Sequence, residues 1–546
     1  MSRTLRMMLA ALALAGLTLV VNFGVLSGSW RWDDPQVLLH AHQFSWLQDL
    51  TRPDIWQQFS PANLTPLLIL SFEVDLILFG LQPALFYVHQ LLALAAGAGM
   101  LALCLHLWCR PGAALAGGVL FLTGLPVMLV SEQLMTRHYA EGLVLALLAL
   151  YGYVRYLRTE QLWVLMLASA AYLLACMAKE VYVPLPLLLL CVPDANVRQR
   201  LVASAPFFVI LLVYALWRSY MLPSVGGGYA DSSTYLDVAY LAQVLVSYAS
   251  FPHLLTGSLW LLAVIVFSAL TVVYLLRTRR FPWRALVVAA LVLGPLAPLV
   301  GWPGIQLADR YLFVVWAALS FAVAFMADRS GQKTALAAVP LLAIVSVLHA
   351  LPVRSEVAAK AEEFEVQGQF IWVQDASAAF VPTPDVAATL WFVNGLRDFK
   401  AGLGLGSSPV AVVDNLYLAR SEARQLWEWQ ADCNCMVDIS AQIPQRRSLF
   451  IEGLRPTEAL SVTYAYQNGY FSWEFGPWQQ GGWHLVSDEI GVIPAPASGQ
   501  LRAVLADNAL FYIRYTSPEG WFTYSDQLQV VRDGPQISWS RGSGND

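Results

Sequence analysis

The sequence predicts a polytopic α-helical membrane protein of about eleven transmembrane helices, N-terminus in and C-terminus out. It adds a C-terminal extracytoplasmic domain, part mixed α/β and part β-sandwich-like. Three observations predict this. Of 546 residues, 58% are hydrophobic and only 13% charged, with a mean hydropathy of +0.55, whereas a soluble chain carries about 25% charged residues. The apolar residues come in runs near or above the length of a bilayer crossing. From about residue 352 those runs stop, and a charged stretch, "RSEVAAKAEEFEVQGQ", opens a segment of soluble composition. The net charge of -5 is too small to imply a partner, and no basic stripe points to nucleic acid.

The N-terminal run follows Arg3 and Arg6 and is long enough to span, so it reads as an anchor rather than a cleaved signal. A long outer loop, about 28 to 84, follows. Within it "LTPLLILSFEVDLILFGL" is apolar but holds Glu73 and Asp75; it is expected at the outer interface, with both carboxylates toward water. Crossings are expected at about 85–108, 113–130, 139–157, 162–178, 201–220, 256–276, 285–303, 311–327 and 334–351. The short "VYVPLPLLLLCV" (181–192) crosses as well. With 64–81 at the interface and 181–192 crossing, Arg110, Arg155, Arg158, Arg198, Arg200, Arg277, Arg279, Arg280, Arg284, Arg329 and Lys333 all fall inside, as the positive-inside rule requires.

Beyond the membrane part (1–351), residues 352–447 read as a mixed α/β segment. Residues 448–546 alternate in short runs separated by Gly, Pro and Asn, the pattern of antiparallel strands. Trp473, Trp478, Trp483 and Trp521, with Tyr470 and Tyr512, either pack its core or stack on sugar rings. Cys104, Cys109, Cys176 and Cys191 read as small hydrophobes. For Cys433 and Cys435 in "ADCNC" the tight ring argues against a disulfide, and a metal site would need more ligands than are nearby.

The outer loops collect the ionisable residues. The first holds Asp33, Asp34, His40, His42, Glu73 and Asp75, the second Glu132, Arg137 and His138, the third Lys179 and Glu180, the last Asp309, Arg310 and Tyr311. Charged pairs in apolar flanks point to function. A carboxylate can act as general base toward a hydroxyl. Arg and Lys can hold a phosphate, and cations beside a leaving phosphate stabilise its developing charge. That set fits group transfer from a phosphorylated lipid.

"WRWDDPQVLLH", "LTPLLILSFEVDLILFGLQPALFYVHQLL", "CMAKEVYVPLPLLLL" and "ADRYLFVVWAALSF", in this order over about residues 1–350, resemble the motifs of the GT-C class of polyprenyl-phosphate-dependent glycosyltransferases. That class includes protein O-mannosyltransferases, aminoarabinose transferases and TMTC-like bacterial members. The departure is at "LTPL", where Thr65 stands in place of the usual arginine. The resemblance implies a GT-C-like fold and a donor of polyprenyl-phosphate-linked sugar, with a protein, lipid or glycan acceptor. By it Asp33 is the catalytic carboxylate, and Asp34 supports it or helps bind a divalent cation (Mg or Mn). Lys179, Arg310 and Arg137 hold the donor phosphate, while Glu180, His138 and Tyr311 support the cavity.

Plainer readings stand beside these. "DDPQVLLH" is a good helix start with Pro at N1. Lys179 and Glu180 could pair with each other, and Arg310 could be an interfacial anchor beside Tyr311. His40, His42 and His89 read as loop or packing histidines, and "NLT" at 63–65 fits a glycosylation triplet. The competing functions are a lipid or glycan transporter or flippase, and a membrane-anchored assembly factor with a binding outer domain. The arginine-rich, lysine-poor composition is bacterial in style, which places the chain in the cytoplasmic (inner) membrane with its C-terminal domain in the periplasm.

Overall fold

The computed structural model describes residues 3–60, 62–222, 238–279, 283–300, 309–382, 386–467, 470–502, 508–532 and 534–542. The chain divides into two compact units: Met1–Ser29 with His40–Ala359, and Trp30–Leu39 with Lys360–Asp546.

The first unit is helical. Its long elements are α1 (Arg3–Asn22), α6 (Pro83–His106), α9 (Arg137–Thr159), α10 (Leu162–Ala178), α12 (Val197–Met221), α13 (Val238–Thr256), α14 (Trp260–Thr278), α15 (Trp283–Leu293), α17 (Phe313–Ser330) and α18 (Gln332–Val373), whose last residues, from Lys360, belong to the second unit. Shorter ones are α2 (Asp34–Gln43), which begins in the second unit, α3 (Trp46–Thr51), α4 (Pro53–Phe59), α5 (Pro66–Phe79), α7 (Pro111–Leu122), α8 (Leu125–Glu132), α11 (Leu185–Leu189) and α16 (Ala297–Val300). Proline opens α5, α6 and α7, the position where its missing N–H costs nothing.

Among the described residues, eight helical segments are long and apolar enough to cross a membrane, or nine if α7 and α8 form one span bent by 56°. The bend falls at Gly124, where a Cβ would lie 1.9 Å from the Trp316 indole; glycine lets that indole reach the Phe121 carbonyl at 2.9 Å. The sequence count of about eleven also takes in α10, whose 17 residues span about 25 Å. It includes 181–192 too, which is built as a 3-10 turn at Glu180–Tyr182 followed by the five-residue α11. Pro184 and Pro186 keep this segment from forming one helix. Conversely, α13 and α14 make 39 residues of apolar helix, Tyr240–Thr278, where the sequence reading has a crossing only from 256. They are parted at Gly257, which has φ +55°. The expected crossing at 285–303 runs into residues 301–303, outside the described residues.

In the second unit β1 (Ala378–Val381) pairs parallel with β2 (Val410–Ala411) and β3 (Gln425–Gln430), and β3 pairs antiparallel with β4 (Cys435–Asp438). The helices α19 (Val386–Gly402), α20 (Asn415–Arg420) and α21 (Ile443–Gly453) are interleaved with these strands in sequence. Two antiparallel sheets follow. One orders β13 (Ile537–Arg541), β5 (Leu460–Gln467), β6 (Tyr470–Gly476) and β9 (Ser498–Arg502). The other orders β11 (Phe522–Tyr524), β10 (Leu510–Thr516), β7 (Gly482–Ser487) and β8 (Gly491–Ala495), with β12 (Leu528–Gln529) beside β10. One core, including Val462, Tyr464 and Phe475 from the first and Trp483, Ile513 and Tyr515 from the second, holds them face to face as a sandwich. Trp473, Trp478 and Trp521 pack against that core and Tyr512 is buried in a neighbouring one; packing therefore accounts for these aromatics. Cys433 and Cys435 do form a disulfide, contrary to the ring-strain argument; the β3–β4 turn with Asn434 at φ +45° brings them together.

Candidate anion site and carboxylate turn

The α9–α10 pair is a hairpin joined by two residues, so the start of α9 and the end of α10 lie at one end of the first unit. Four chain segments meet around that end. His138 is the second residue of α9. Lys179 caps α10 in an extended conformation, φ -158° and ψ 138°. Arg310 sits in the 3-10 turn Asp309–Leu312 that leads into α17, and Gln133 follows α8.

Lys179 and Arg310 are close enough for their charges to act on each other and on the His138 ring. The Lys179 ammonium stands 5.3 Å from the centre of the Tyr139 ring, a cation–π distance. Lys179 forms no salt bridge among the described residues. Its side chain is partly exposed, but protein closely surrounds the ammonium, and that burial pushes the amine down to about 8, against the pull of Glu180. Arg310 Nη1 donates to Gln133 Oε1 at 2.6 Å, and the guanidinium lies 5.4 Å from the Tyr311 ring centre. His138 is only 7% exposed and its ring lies 4.7 Å from that of Tyr139. The Met135 backbone carbonyl lies close to the ring, and no side chain among the described residues hydrogen-bonds either nitrogen.

Glu180 turns to α12: Arg218 Nε donates to its Oε1 at 2.6 Å. The Leu64 N–H also donates to Oε1, at 3.3 Å. It thereby ties the segment between α4 and α5 to the turn that carries Lys179. Tyr182 in that turn donates to the Tyr139 carbonyl at 2.5 Å.

Arg137 lies elsewhere. It is fully buried and its donors are taken by Gln90 Oε1 (3.3 Å), Ser71 Oγ (3.1 Å), the Asp75 carboxylate and the Phe86 carbonyl (2.9 Å). The Phe72 ring centre is 4.9 Å from its guanidinium carbon. Asp75 is 1% exposed and also meets His89 Nδ1 at 2.8 Å, so it does not face water from the interface as the sequence reading has it. Glu73 stays partly exposed and accepts from the Trp46 N–H at 3.2 Å. Glu141 joins the cluster through Ser71 Oγ at 2.6 Å. His40 pairs with Asp49 at 2.7 Å among Phe44, Trp56 and Phe59, a packing role.

The paired carboxylates belong to the second unit. Asp34 is fully buried and closes the turn that opens α2, its Oδ2 accepting from the Arg31 N–H at 2.9 Å. Asp33 precedes the helix, its carbonyl accepting from the Val37 N–H at 3.1 Å, and stays partly exposed. Trp32 before it has φ +45°, a left-handed conformation that a bulky residue adopts only when its surroundings hold it there. The Trp32 ring meets Phe364 edge-on at 5.4 Å, which supplies that hold. Among the described residues no group of three or more His, Cys, Asp or Glu is arranged to hold a metal ion.

Sequence reasoning missed Gln133, Tyr139, Arg218, Ser71, Gln90 and Glu141. Glu141 alone left a signal, four residues after Arg137 on one helix face.

No protein-family model matches the chain, and no curated protein matches it. Among solved structures it is similar to the crystal structure of ArnT from Cupriavidus metallidurans bound to undecaprenyl phosphate, with TM-score 0.36 and 14% identity over 77% of this chain and 93% of that one. It is similar likewise to the same protein in the apo state, with TM-score 0.38 and 14% identity over 76% and 92%.

Proposed function

We propose that this chain is a membrane glycosyltransferase that moves a sugar from a polyprenyl-phosphate donor to a hydroxyl of a protein, lipid or glycan at the outer face of the membrane. The observation that carries the reading is the convergence of Lys179, Arg310 and His138 at one end of the apolar helices, with the nearest carboxylate in sequence, Glu180, engaged by Arg218. Positive charge held at the edge of an apolar slab suits an anion carried on a lipid tail. The opposite helix ends support the orientation: Arg110 pairs with Asp328 at 2.7 Å and Arg158 with Asp194 at 2.8 Å, and Arg329 lies beside Trp108. Such an arginine-rich end faces the cytoplasm by the positive-inside rule, which leaves the Lys179 end outside. In a bacterial cell that is the periplasmic side of the inner membrane.

By the resemblance, Asp33 is the base that takes the proton of the acceptor hydroxyl, whose oxygen bonds the anomeric carbon. The bond from that carbon to the phosphate oxygen breaks, and its electron pair leaves with the phosphate. Lys179 and Arg310 stabilise the charge that develops there. The test is to delete the gene, profile surface glycans and glycopeptides by mass spectrometry, and complement with wild type, Asp33→Asn or Lys179→Ala. A sugar that disappears and returns only with wild type supports the reading. Full restoration by both variants at normal protein level overturns it.

A further inference from the structure

The cysteines divide by place. Cys104, Cys109 and Cys176 are buried and Cys191 is half-buried, in or beside the apolar helices. Cys433 and Cys435 stand apart in the second unit, joined by a disulfide across a single residue. Cys433 is exposed and Cys435 half-buried. A cross-link stabilises a fold mainly by shrinking the unfolded ensemble, and the gain grows with the loop it closes. The loop from Cys433 to Cys435 is close to the shortest a chain can offer, so the gain here is small. The turn also has other support. Strands β3 and β4 pair as far as Gln430 opposite Cys435. The Trp429 indole donates to Asn434 Oδ1 at 3.1 Å, and the Asn434 amide meets the Glu362 carboxylate at 3.5 Å. Asparagine also tolerates the left-handed φ of +45° at residue 434. An exposed bond that adds little to the fold, over a turn that has its own hydrogen bonds, is suited to being broken and remade.

We propose that the Cys433–Cys435 pair is a thiol–disulfide exchange site that takes two electrons from a dithiol on a partner protein. A partner thiolate attacks Cys433, the more exposed of the two, at Sγ. The bond to Cys435 breaks with its electron pair on Cys435 Sγ, which takes up a proton. The partner's second thiolate then attacks the partner sulfur of the mixed disulfide, and Cys433 leaves as a thiolate that is protonated in turn. The partner ends as a disulfide and the pair as two thiols, and two electrons and two protons have moved. The turn keeps the reduced pair together, so an oxidant that is itself a disulfide restores the bond by the reverse steps. Asp432 precedes the attacked residue and Glu362 contacts the residue between the two cysteines; both are exposed. Carboxylates on that rim favour a partner whose thiols lie among basic side chains. The step uses neither Lys179 nor the transferase reaction.

The experiment holds the full chain, in lipid nanodiscs and under native conditions, in about 10 mM reduced and about 0.1 mM oxidised glutathione near pH 7, then quenches with acid and alkylates. The tryptic peptide 425–446 carries both cysteines and no others, so its mass reads the pair. The proposal expects the pair to be mostly reduced, with the mixed disulfide trapped at early times on Cys433, whereas a structural disulfide stays about 99% oxidised in that buffer. A synthetic peptide dithiol mixed with the oxidised chain should be oxidised one for one. A lysine-flanked peptide should react roughly tenfold faster than a glutamate-flanked one at low salt. Cys433→Ser/Cys435→Ser should leave the peptide reduced, and an unfolding midpoint equal to wild type excludes a folding defect. A pair that stays oxidised in the glutathione buffer, or a double variant that still oxidises the peptide, overturns the proposal. So does a pair that remains as two thiols in excess oxidised glutathione. Equal rates for the two peptides keep the exchange site and overturn the basic partner.

Discussion

Replacing Arg137 separates two readings of this arginine. The sequence makes Arg137 a donor-phosphate ligand, whereas the structure spends its guanidinium inside the protein. Arg137→Met keeps the length and apolar stem and removes four polar contacts, to Gln90, Ser71, Asp75 and the Phe86 carbonyl. It also leaves Asp75, 1% exposed, with only His89 to balance it. Breaking a buried ion pair from one side costs about 3–5 kcal/mol in water-soluble proteins. Inside membranes single polar contacts average about 0.6 kcal/mol, because the unfolded chain finds partners too, so four of them set a floor of about 2 kcal/mol. The expected loss is therefore about 2–5 kcal/mol, read from SDS-titration unfolding in mixed micelles. The double variant Arg137→Met/Asp75→Leu removes both charges and should recover most of it. If Arg137→Met instead unfolds within about 0.5 kcal/mol of wild type, the range of ordinary surface changes, and weakens donor binding, then Arg137 is free to bind phosphate and the structural role is refuted.

Asp33→Asn keeps a residue able to cap a helix, so it should unfold like wild type while turnover falls by about 10²–10⁴, the usual share of a general base; transfer assays on purified protein in nanodiscs read this. Lys179 must be an ammonium to hold phosphate, and burial brings its amine down to about 8. The sign follows: a lysine depressed in the folded state is charged below that pH and neutral above it. Affinity for a prenyl phosphodiester, a lipid anion of constant single charge, should therefore drop roughly tenfold per pH unit above about 8, and Lys179→Arg, whose group stays charged, should flatten the fall; equilibrium binding between pH 7.5 and 9.5 on the full chain in nanodiscs checks both. At Gly142 a Cβ would come within 2.3 Å of the Tyr182 ring. Gly142→Val should therefore displace the turn that carries Lys179, cost about 1–3 kcal/mol as an overpacked core does, and weaken diester binding at pH 7.

Hydropathy made most of the membrane part legible, because a crossing must be long and apolar whatever its neighbours are. It misled where helix and hydropathy part company. Apolar character ends near residue 352, yet α18 continues to Val373, since residues such as Glu356, Lys360 and Glu363 are compatible with a helix in water. The segment 181–192 is apolar enough to cross, but its prolines cut it to a five-residue helix. At the site, residue types were legible and partners were not. Lys179 stands next to Glu180 in sequence, yet Glu180 faces Arg218, 38 residues on. Arg137 and His138 are adjacent, but successive residues on a helix point about 100° apart. One therefore enters the Asp75 network and the other meets Lys179 and Arg310.

That divergence bears on the choice between transfer and transport. A transporter that carries ions or charged substrate through the bilayer needs ionisable groups deep in its helices, at broken segments near the middle. Here the ionisable groups of α6 and α9 lie toward the helix ends: His89 about two turns into α6 and Arg137 and Glu141 in the first turns of α9, with His106, Arg155 and Arg158 at the opposite ends. The inner of these clusters is internally matched, with Asp75 and Glu141 beside Arg137 and His89, and binds itself. The other differs in one respect: Lys179 forms no salt bridge among the described residues, and its ammonium stands over the Tyr139 ring. A self-neutralised network fixes helices, whereas a cation at a helix end can take an anion from outside. On the proposed reading the matched network holds the helices while Lys179 takes the lipid phosphate, whereas a carrier of charge would need such a group deep in the bilayer.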